Sequence, residues 1–326
     1  MNVIAFITFA VVQILFIPLV IIGLVMVFYK QVYVSKKLDV ASTAVEVING
    51  RWTMHVFGLR EDEASCRLNR VLPNNSLFGL WLILFPSYLR YRMSGQTHGY
   101  PAIPEREKEG LSHLVTARTV YFDQLIEKHI DSIEQLVVMG AGFDTRCYGK
   151  FKHKQIRYFE LDQVNTQKLK ISSLDKAGID ISHVNFVDVD FFAECWYAKL
   201  HQAGFDPGKK TLFLWEGVTL YLDERSVRQA LREIRQHSAL GSVVVCDIYA
   251  NRFVEGTYVS GMKSSLKVLK VTGEGLGFGL NLSENAVQVL SDFMASEGML
   301  MKERYLMGEK TEKGIFMVVL EAIVTN

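Results

Sequence analysis

The chain has 326 residues, with 36 lysines and arginines against 35 aspartates and glutamates. That length suits one large α/β domain with attachments, and a formal net charge of +1 lacks the basic excess of a nucleic-acid binder. The four cysteines, Cys66, Cys147, Cys195 and Cys246, form no C-x-x-C pair and no metal-ligand spacing, which points to reduced thiols of a cytosolic domain and to no metal site.

Residues 1–29 contain no charged side chain and consist mostly of Val, Ile, Leu, Phe and Ala. About 20 such residues cross the hydrocarbon core of a bilayer. No basic residue precedes the apolar run, as one would in a secretory signal. The segment predicts a transmembrane helix, with Pro18 the place for a kink. Lys30, Lys36 and Lys37 follow at once, which sets the remaining chain in the cytoplasm behind a single-pass anchor.

Residues 30–110 read as a helical linker and cap. Within them, residues 77–89 form a second apolar stretch, LFGLWLILFPSYL, followed by Arg90 and Arg92. It is short for a span and contains Pro86. Two readings stay open: an interfacial or re-entrant segment at a membrane, or a hydrophobic helix buried against the domain.

Residues 111–326 carry the α/β pattern. Leu111 to Ile130 predicts an amphipathic helix, with Leu114, Val115, Phe122, Leu125 and Ile126 on one face. Arg118 falls within that apolar face and needs an anionic partner there. The partner is either a protein carboxylate or the carboxylate of a bound amino-acid moiety. Five strands follow, Leu136–Met139, Ile156–Phe159, Val184–Val189, Leu212–Trp215 and Val243–Asp247, with helical segments between them. Such alternation predicts a mostly parallel sheet covered by helices on both faces.

The first strand ends in VVMGAGFDTR, Val137 to Arg146, and the second in FELD, Phe159 to Asp162. Gly140 and Gly142 permit a tight turn and close approach of backbone to a ligand. An acid about twenty residues further on, Glu160 or Asp162, can hold the two hydroxyls of a ribose. The third glycine of a dinucleotide turn is replaced by Thr145, and Asp144 lies in the turn itself. A carboxylate there opposes a pyrophosphate and suits a cationic amine or sulfonium, which favours S-adenosyl-L-methionine over NAD. Further acids recur at the next strand ends, Asp188 and Asp190, then Glu216. Each alone is equally readable as a helix cap; their recurrence at the ligand-binding edge of an α/β sheet is the functional signal.

After Asp247 the alternation stops. Residues 251–282 read as irregular and glycine-rich around GEGLGFGL, followed by a helix near Ser283–Ser296, the run MKERYLMG and a last strand in IFMVVLEAIV. A late strand pair whose final strand runs antiparallel closes the sheet of a class I methyltransferase, seven-stranded and Rossmann-like.

The blocks VTARTVYFDQLI, VVMGAGFDTRCY, YFELDQVNTQKLK, VNFVDVDF, LFLWEGVTLYLDERSV and GEGLGFGL resemble, in this order, those of the leucine carboxyl methyltransferase family of S-adenosyl-L-methionine-dependent enzymes. The resemblance runs from about Leu111 to the carboxyl end. It implies that Arg118 grips the methionine carboxylate, that Gly140 and Gly142 form the turn beside the cofactor, and that Asp162 with Glu160 holds the ribose. Asp190 and Phe191 would lie near the adenine and Glu216 near the methionine amine. The family also places a basic residue of its amino-terminal helices on the methionine carboxylate; Arg51 and Arg60 are the candidates here. The apolar amino terminus departs from the protein-methylating members, so their protein substrate does not carry over.

Glu216 and Tyr221 are the catalytic candidates, Tyr221 as a wall of the acceptor pocket. No histidine stands beside a motif as an evident base; His55, His98 and His113 precede the glycine turn and are more readily surface or core residues. A carboxylate acceptor needs no base, whereas a hydroxyl does, which tilts the reading towards O-methylation of an acid. The sequence thus predicts a membrane-anchored methyltransferase for a lipophilic small-molecule acceptor, in contact with membrane lipid. The competing readings are a nicotinamide-dependent oxidoreductase and a non-catalytic membrane-anchored module that keeps the fold for interaction.

Overall fold

The computed structural model describes residues 3–97, 99–152, 155–191, 196–271 and 273–325. His98 and Cys195, both singled out above, lie outside the described residues. Helix α1 (Val3–Phe28) continues through a π-helical stretch, Tyr29–Val34, into the short α2 (Ser35–Leu38). The whole apolar helix, Phe6–Leu38, is long and apolar enough to cross a membrane, and α1 continues through Pro18.

In the helical linker expected over residues 30–110, the first part after α2 divides into α3 (Ser42–Val56) and α4 (Glu63–Val71). The break contains Gly58 at φ +65°, and Asp62 restarts the helix by accepting a hydrogen bond from the Ser65 backbone N–H at 2.9 Å. Helix α5 (Leu77–Ser94) contains the second apolar stretch and ends on Gly95 in the left-handed region.

Helix α5 packs against α1 along its length. Gly23 and Gly79 sit face to face: a Cβ on either would come within 3 Å of the other's carbonyl oxygen. Phe16 stacks on Phe85 at 5.1 Å, and the Arg90 guanidinium lies over the Phe9 ring at 5.1 Å. Contacts that fall in α1 as they rise in α5 make the pair antiparallel. On its other side α5 meets α3, through Trp52 against Trp81 and Phe57 against Tyr88. The outward face of α1 exposes Ile14, Leu15, Ile21, Ile22, Leu24 and Val25.

After a one-turn 3-10 segment, Leu111–His113, helix α6 (Leu114–His129) leads into the sheet. The strands are β1 (Gln135–Met139), β2 (Arg157–Asp162), β3 (Val184–Asp188), β4 (Thr211–Trp215), β5 (Val243–Tyr249), β6 (Met299–Met307) and β7 (Met317–Val324). Their order is β3-β2-β1-β4-β5-β7-β6. The first five strands are parallel, β7 is antiparallel to β5, and β6 is antiparallel to β7. This is the class I methyltransferase sheet expected from the sequence.

Strand residues alternate between two cores. Leu136, Val138, Leu212 and Leu214 pack with α3, α4, α6 and α7 (Val164–Lys176). Val137, Met139, Phe213 and Trp215 pack with α8 (Trp196–Gln202), α9 (Glu224–His237) and α12 (Ala286–Ser296). Burial on both faces explains the continuous apolar runs. Between β5 and α12, the region expected to be irregular contains α10 (Asn251–Val254) and α11 (Met262–Val271). Its glycines cluster only from Gly273 onward, so the preceding ten residues are free to form a helix.

Candidate active site

The site lies where the strand order reverses between β1 and β4, the position at which open α/β sheets bind ligands. A cavity of about 990 Å³ opens there, at the upper end of the range for ligand pockets, roughly 300–1,000 Å³. Its floor is the turn after β1. Gly140 has φ +67° and Gly142 φ +45°. A Cβ on Gly140 would meet Val218 Cγ2 at 2.3 Å, so this position requires glycine both for its backbone and for its neighbour.

Of the residues named from the sequence, Arg118, Gly140, Gly142, Asp144, Asp162, Asp190, Phe191, Glu216 and Tyr221 all line this cavity. Glu160 does not. It shares a strand face with Asp162 but lies deeper, in a buried pair with Lys170 at 2.6 Å. Burial raises its carboxyl and Lys170 opposes that rise. Asp162 accepts from the backbone N–H of Gly142 and, at 2.7 Å, from that of Gln163. This anchoring holds a carboxylate on the cavity wall beside the glycine turn.

The other end of the cofactor-sized region is a buried charge network. Arg51, from α3, reaches Asp144 and Glu216, each at 3.0 Å. Arg118, from α6, pairs with Glu216 at 3.1 Å and Asp247 at 3.4 Å, and donates to the Tyr249 hydroxyl at 2.8 Å. Arg146, two residues beyond the turn acid, pairs with Asp144 and Glu216 at 2.6 Å and with Asp123 at 2.7 Å. Burial raises Glu216, but Arg146, Arg51 and Arg118 outweigh it and hold the carboxyl below its ordinary value. Burial also opposes ionisation of Asp144, and Arg146 and Arg51 overcome it strongly.

This corrects the reading of Asp144 as a free negative charge for a sulfonium: two arginines neutralise it. Glu216 is likewise a bracket for three arginines. Burial pushes the Tyr221 phenol well up, which keeps it neutral. For Arg118, the structure assigns a protein partner, Glu216, while leaving its side chain on the cavity wall.

Sequence reasoning left Arg51 as one of two candidates; the structure separates them. Arg60 pairs with Asp62 and Asp123 and does not line the cavity, whereas Arg51 does. Its Nε and Nη1 have no hydrogen-bond partner among the described residues, although Nη1 forms the ion pair with Asp144. His55 Nδ1 accepts from the Asp62 backbone and His113 Nδ1 from that of Gly110, so both act as local caps.

The remaining cavity wall is apolar, with Val47, Leu114, Val115, Phe253, Met262 and Leu266. The mouth carries Lys36, Asp39 and Val40, at the carboxyl end of the long apolar helix. The segment after α11 closes one side. Glu274 accepts hydrogen bonds from the backbone N–H and hydroxyl of both Ser42 and Thr43, a remote carboxylate cap on the amino terminus of α3.

Residues 88–235 match the family model for leucine carboxyl methyltransferase, which establishes the family likeness over that span, a little under half of the chain. A provisionally named S-adenosyl-L-methionine-dependent methyltransferase of Mycobacterium marinum is 28% identical over 186 residues, 56% of this chain and 58% of the relative. A similarly named Bacillus subtilis protein is 29% identical over 201 residues, 59% and 63% of the two chains. The chain thus spans less than two thirds of these curated relatives. Among solved structures, a 1,6-didemethyltoxoflavin-N1-methyltransferase of Burkholderia thailandensis overlaps with a TM-score of 0.42 at 12% identity, over 64% of this chain and 79% of that one.

Proposed function

We propose that the protein is a membrane-bound S-adenosyl-L-methionine-dependent methyltransferase that O-methylates a lipophilic small molecule. The carrying observation is one continuous cavity that joins a glycine turn, a strand-end carboxylate and two buried arginines to an apolar chamber. The residues present suit the cofactor. Asp162 is placed for ribose hydroxyls. The unpartnered Nε of Arg51 and the cavity-facing side of Arg118 suit the methionine carboxylate. Phe191 and Asp190 offer a flat apolar face and an acceptor for adenine. When bound, the sulfonium supplies an electrophilic methyl group. The chain's own part is to hold the acceptor in line with that methyl and to exclude water, which the Glu274 contact and the apolar wall favour.

The membrane reading rests on the exposed face of α1 and on the cavity mouth at the end of that helix. An acceptor dissolved in lipid would meet Lys36 and Val40 without crossing bulk water. The basic cluster Lys30, Lys36 and Lys37 favours the cytoplasmic side. The packing of α5 between α1 and α3 adds a second arrangement beside a single pass: the α1–α5 pair inserted together into one leaflet.

The test is transfer of labelled methyl from S-adenosyl-L-methionine to organic-extractable material, using the full chain with a total lipid extract. Label in that fraction, lost in Arg118→Ala, is the expected result. No labelled product, together with turnover of a nicotinamide cofactor, would support the oxidoreductase reading instead.

A further inference from the structure

Seven carboxylates line the cavity: Asp39, Glu46, Asp144, Asp162, Asp190, Glu216 and Glu274. Six are engaged. Asp39 accepts from Asn165, Asp144 and Glu216 bind arginines, Asp162 holds two backbone N–H groups, Glu274 caps α3, and Asp190 also has a partner. Glu46 alone makes no hydrogen bond or ion pair among the described residues. Its side chain is exposed, and what it is exposed to is the cavity: protein encloses it while the carboxylate faces open volume.

Its position on α3 is informative. Thr43, Glu46, Val47 and Arg51 share the lining face. Arg51 is fixed at the cofactor end by Asp144 and Glu216, and Thr43 is fixed at the closing segment by Glu274. Glu46 lies between, about 7.5 Å along the helix axis from Arg51 at 1.5 Å per residue. That sets it between the charge network and the closing segment, next to the apolar Val47 of the cavity wall.

We infer that Glu46 is the general base for methyl transfer to a neutral hydroxyl group of the acceptor, alcohol or phenol, so that the acceptor is not a carboxylate. The inference rests on the methyltransferase reading above. In the step, the hydroxyl oxygen forms a bond to the sulfonium methyl carbon, the carbon–sulfur bond breaks and its electron pair returns to sulfur. The hydroxyl proton passes to the Glu46 carboxylate and leaves to solvent after product release. An ionised acceptor acid would instead meet like charge on Glu46 and Glu274.

The groups around Glu46 suit this role. Burial raises its carboxyl above the ordinary range, Arg118 on α6 pulls it back and Glu274 adds to the rise. Tyr100 and Tyr221 also face it, and burial raises both phenols, so neither competes for the proton near neutral pH. A raised carboxyl is a stronger base at the same pH.

The experiment uses three matched probes, 4-butylphenol, 4-butylbenzoate and 4-butylbenzylamine. Each is titrated calorimetrically at pH 7.5 into the full chain in detergent, saturated with S-adenosyl-L-homocysteine. The wild type should bind the phenol at least about tenfold more tightly than the benzoate. Glu46→Gln should keep its affinity for S-adenosyl-L-homocysteine, which reports an intact fold, and should bind the benzoate about tenfold better than the wild type, one unit of like-charge repulsion being worth about that factor. Its kcat for methylating the phenol should fall by roughly 10²–10⁴ with KM within about threefold. The inference is overturned by a wild type that prefers the benzoate or the amine, by an unchanged phenol-to-benzoate ratio in Glu46→Gln, by undiminished kcat in that variant, or by a protein that binds S-adenosyl-L-homocysteine and none of the three probes. Failure of the wild type to bind S-adenosyl-L-homocysteine would overturn the methyltransferase reading itself.

Discussion

Arg51 of the cap and Glu216 at the end of β4 form a buried ion pair at 3.0 Å. The pair ties α3 to the catalytic edge of the sheet, so residues outside the parallel core complete the site. Glu216 receives Arg118 and Arg146 as well, which concentrates three guanidinium groups on one carboxylate. The same guanidinium groups also meet Asp144, Asp123 and Asp247, so the network is balanced by protein carboxylates.

Arg51→Ala and Arg118→Ala should each weaken binding of S-adenosyl-L-homocysteine by about 10- to 100-fold, the worth of one charge-assisted hydrogen bond at roughly 1.5–3 kcal/mol. Calorimetry on folded variants checks this. Normal affinity in either would assign that arginine to the Glu216 bracket alone.

Glu160→Ala should behave in the opposite sense. It leaves Lys170 buried and unpaired, and removal of one partner of a buried pair costs about 3–5 kcal/mol. Urea unfolding should show that loss, while the folded fraction binds S-adenosyl-L-homocysteine within about threefold of the wild type. A large affinity loss without a stability change would return Glu160 to the ribose site.

Asp247 is buried at the end of β5, and burial pushes its carboxyl up to about 7 against the pull of Arg118. A carboxyl raised in the folded state binds its proton more tightly there than in the unfolded chain. Its contribution to stability is therefore complete below the unfolded value, near pH 4, and is lost as pH rises towards 7. Asp247→Asn should remove that slope. Between pH 4 and pH 8 the wild type should lose on the order of 2–4 kcal/mol relative to the variant. Parallel stability–pH curves for the two would contradict the assignment.

Deleting residues 1–29 should release the protein from vesicles only in part. The deletion uncovers the α5 face around Gly79, and Phe78 and Phe85 are already exposed. Burial of several large apolar side chains, each worth about 1.5–3 kcal/mol, is enough for a monotopic association. Flotation measures the retained fraction. In the full chain, labelling of a cysteine placed at residue 2 separates the arrangements: modification only from the face opposite residues 111–326 indicates a single pass, and modification from the same face indicates the α1–α5 pair in one leaflet.

The sheet was legible because strands buried on both faces are apolar runs with an acid or glycine at the end. Gly140, Gly142 and Asp162 fell into place for that reason. The charge network was not legible. Arg146 follows Asp144 by two residues, yet adjacency does not say that the guanidinium turns back to neutralise the turn acid. Arg51 sits in a helix whose buried face includes Asn49 and Thr53, so no apolar stripe marks it as Arg118 is marked. Glu160 and Asp162, two apart in FELD, share a strand face, so the pattern does not tell the acid that lines the cavity from the one that pairs with Lys170. Glu46 has no sequence signal, because a carboxylate on a cavity wall and one on a solvated helix face read alike. Helix α11 was hidden by the neighbouring glycines, although Met262, Leu266 and Leu269 keep helical spacing.

The proposed function requires that the cavity at the β1–β4 switch bind S-adenosyl-L-methionine. Calorimetric titration of the full chain with S-adenosyl-L-homocysteine and, separately, with NAD tests it most directly. One site with micromolar affinity for the sulfur ligand is expected, abolished or strongly weakened in Arg118→Ala, with no heat of binding for NAD. Saturable NAD binding, or no binding of the sulfur ligand to the intact protein, would contradict it.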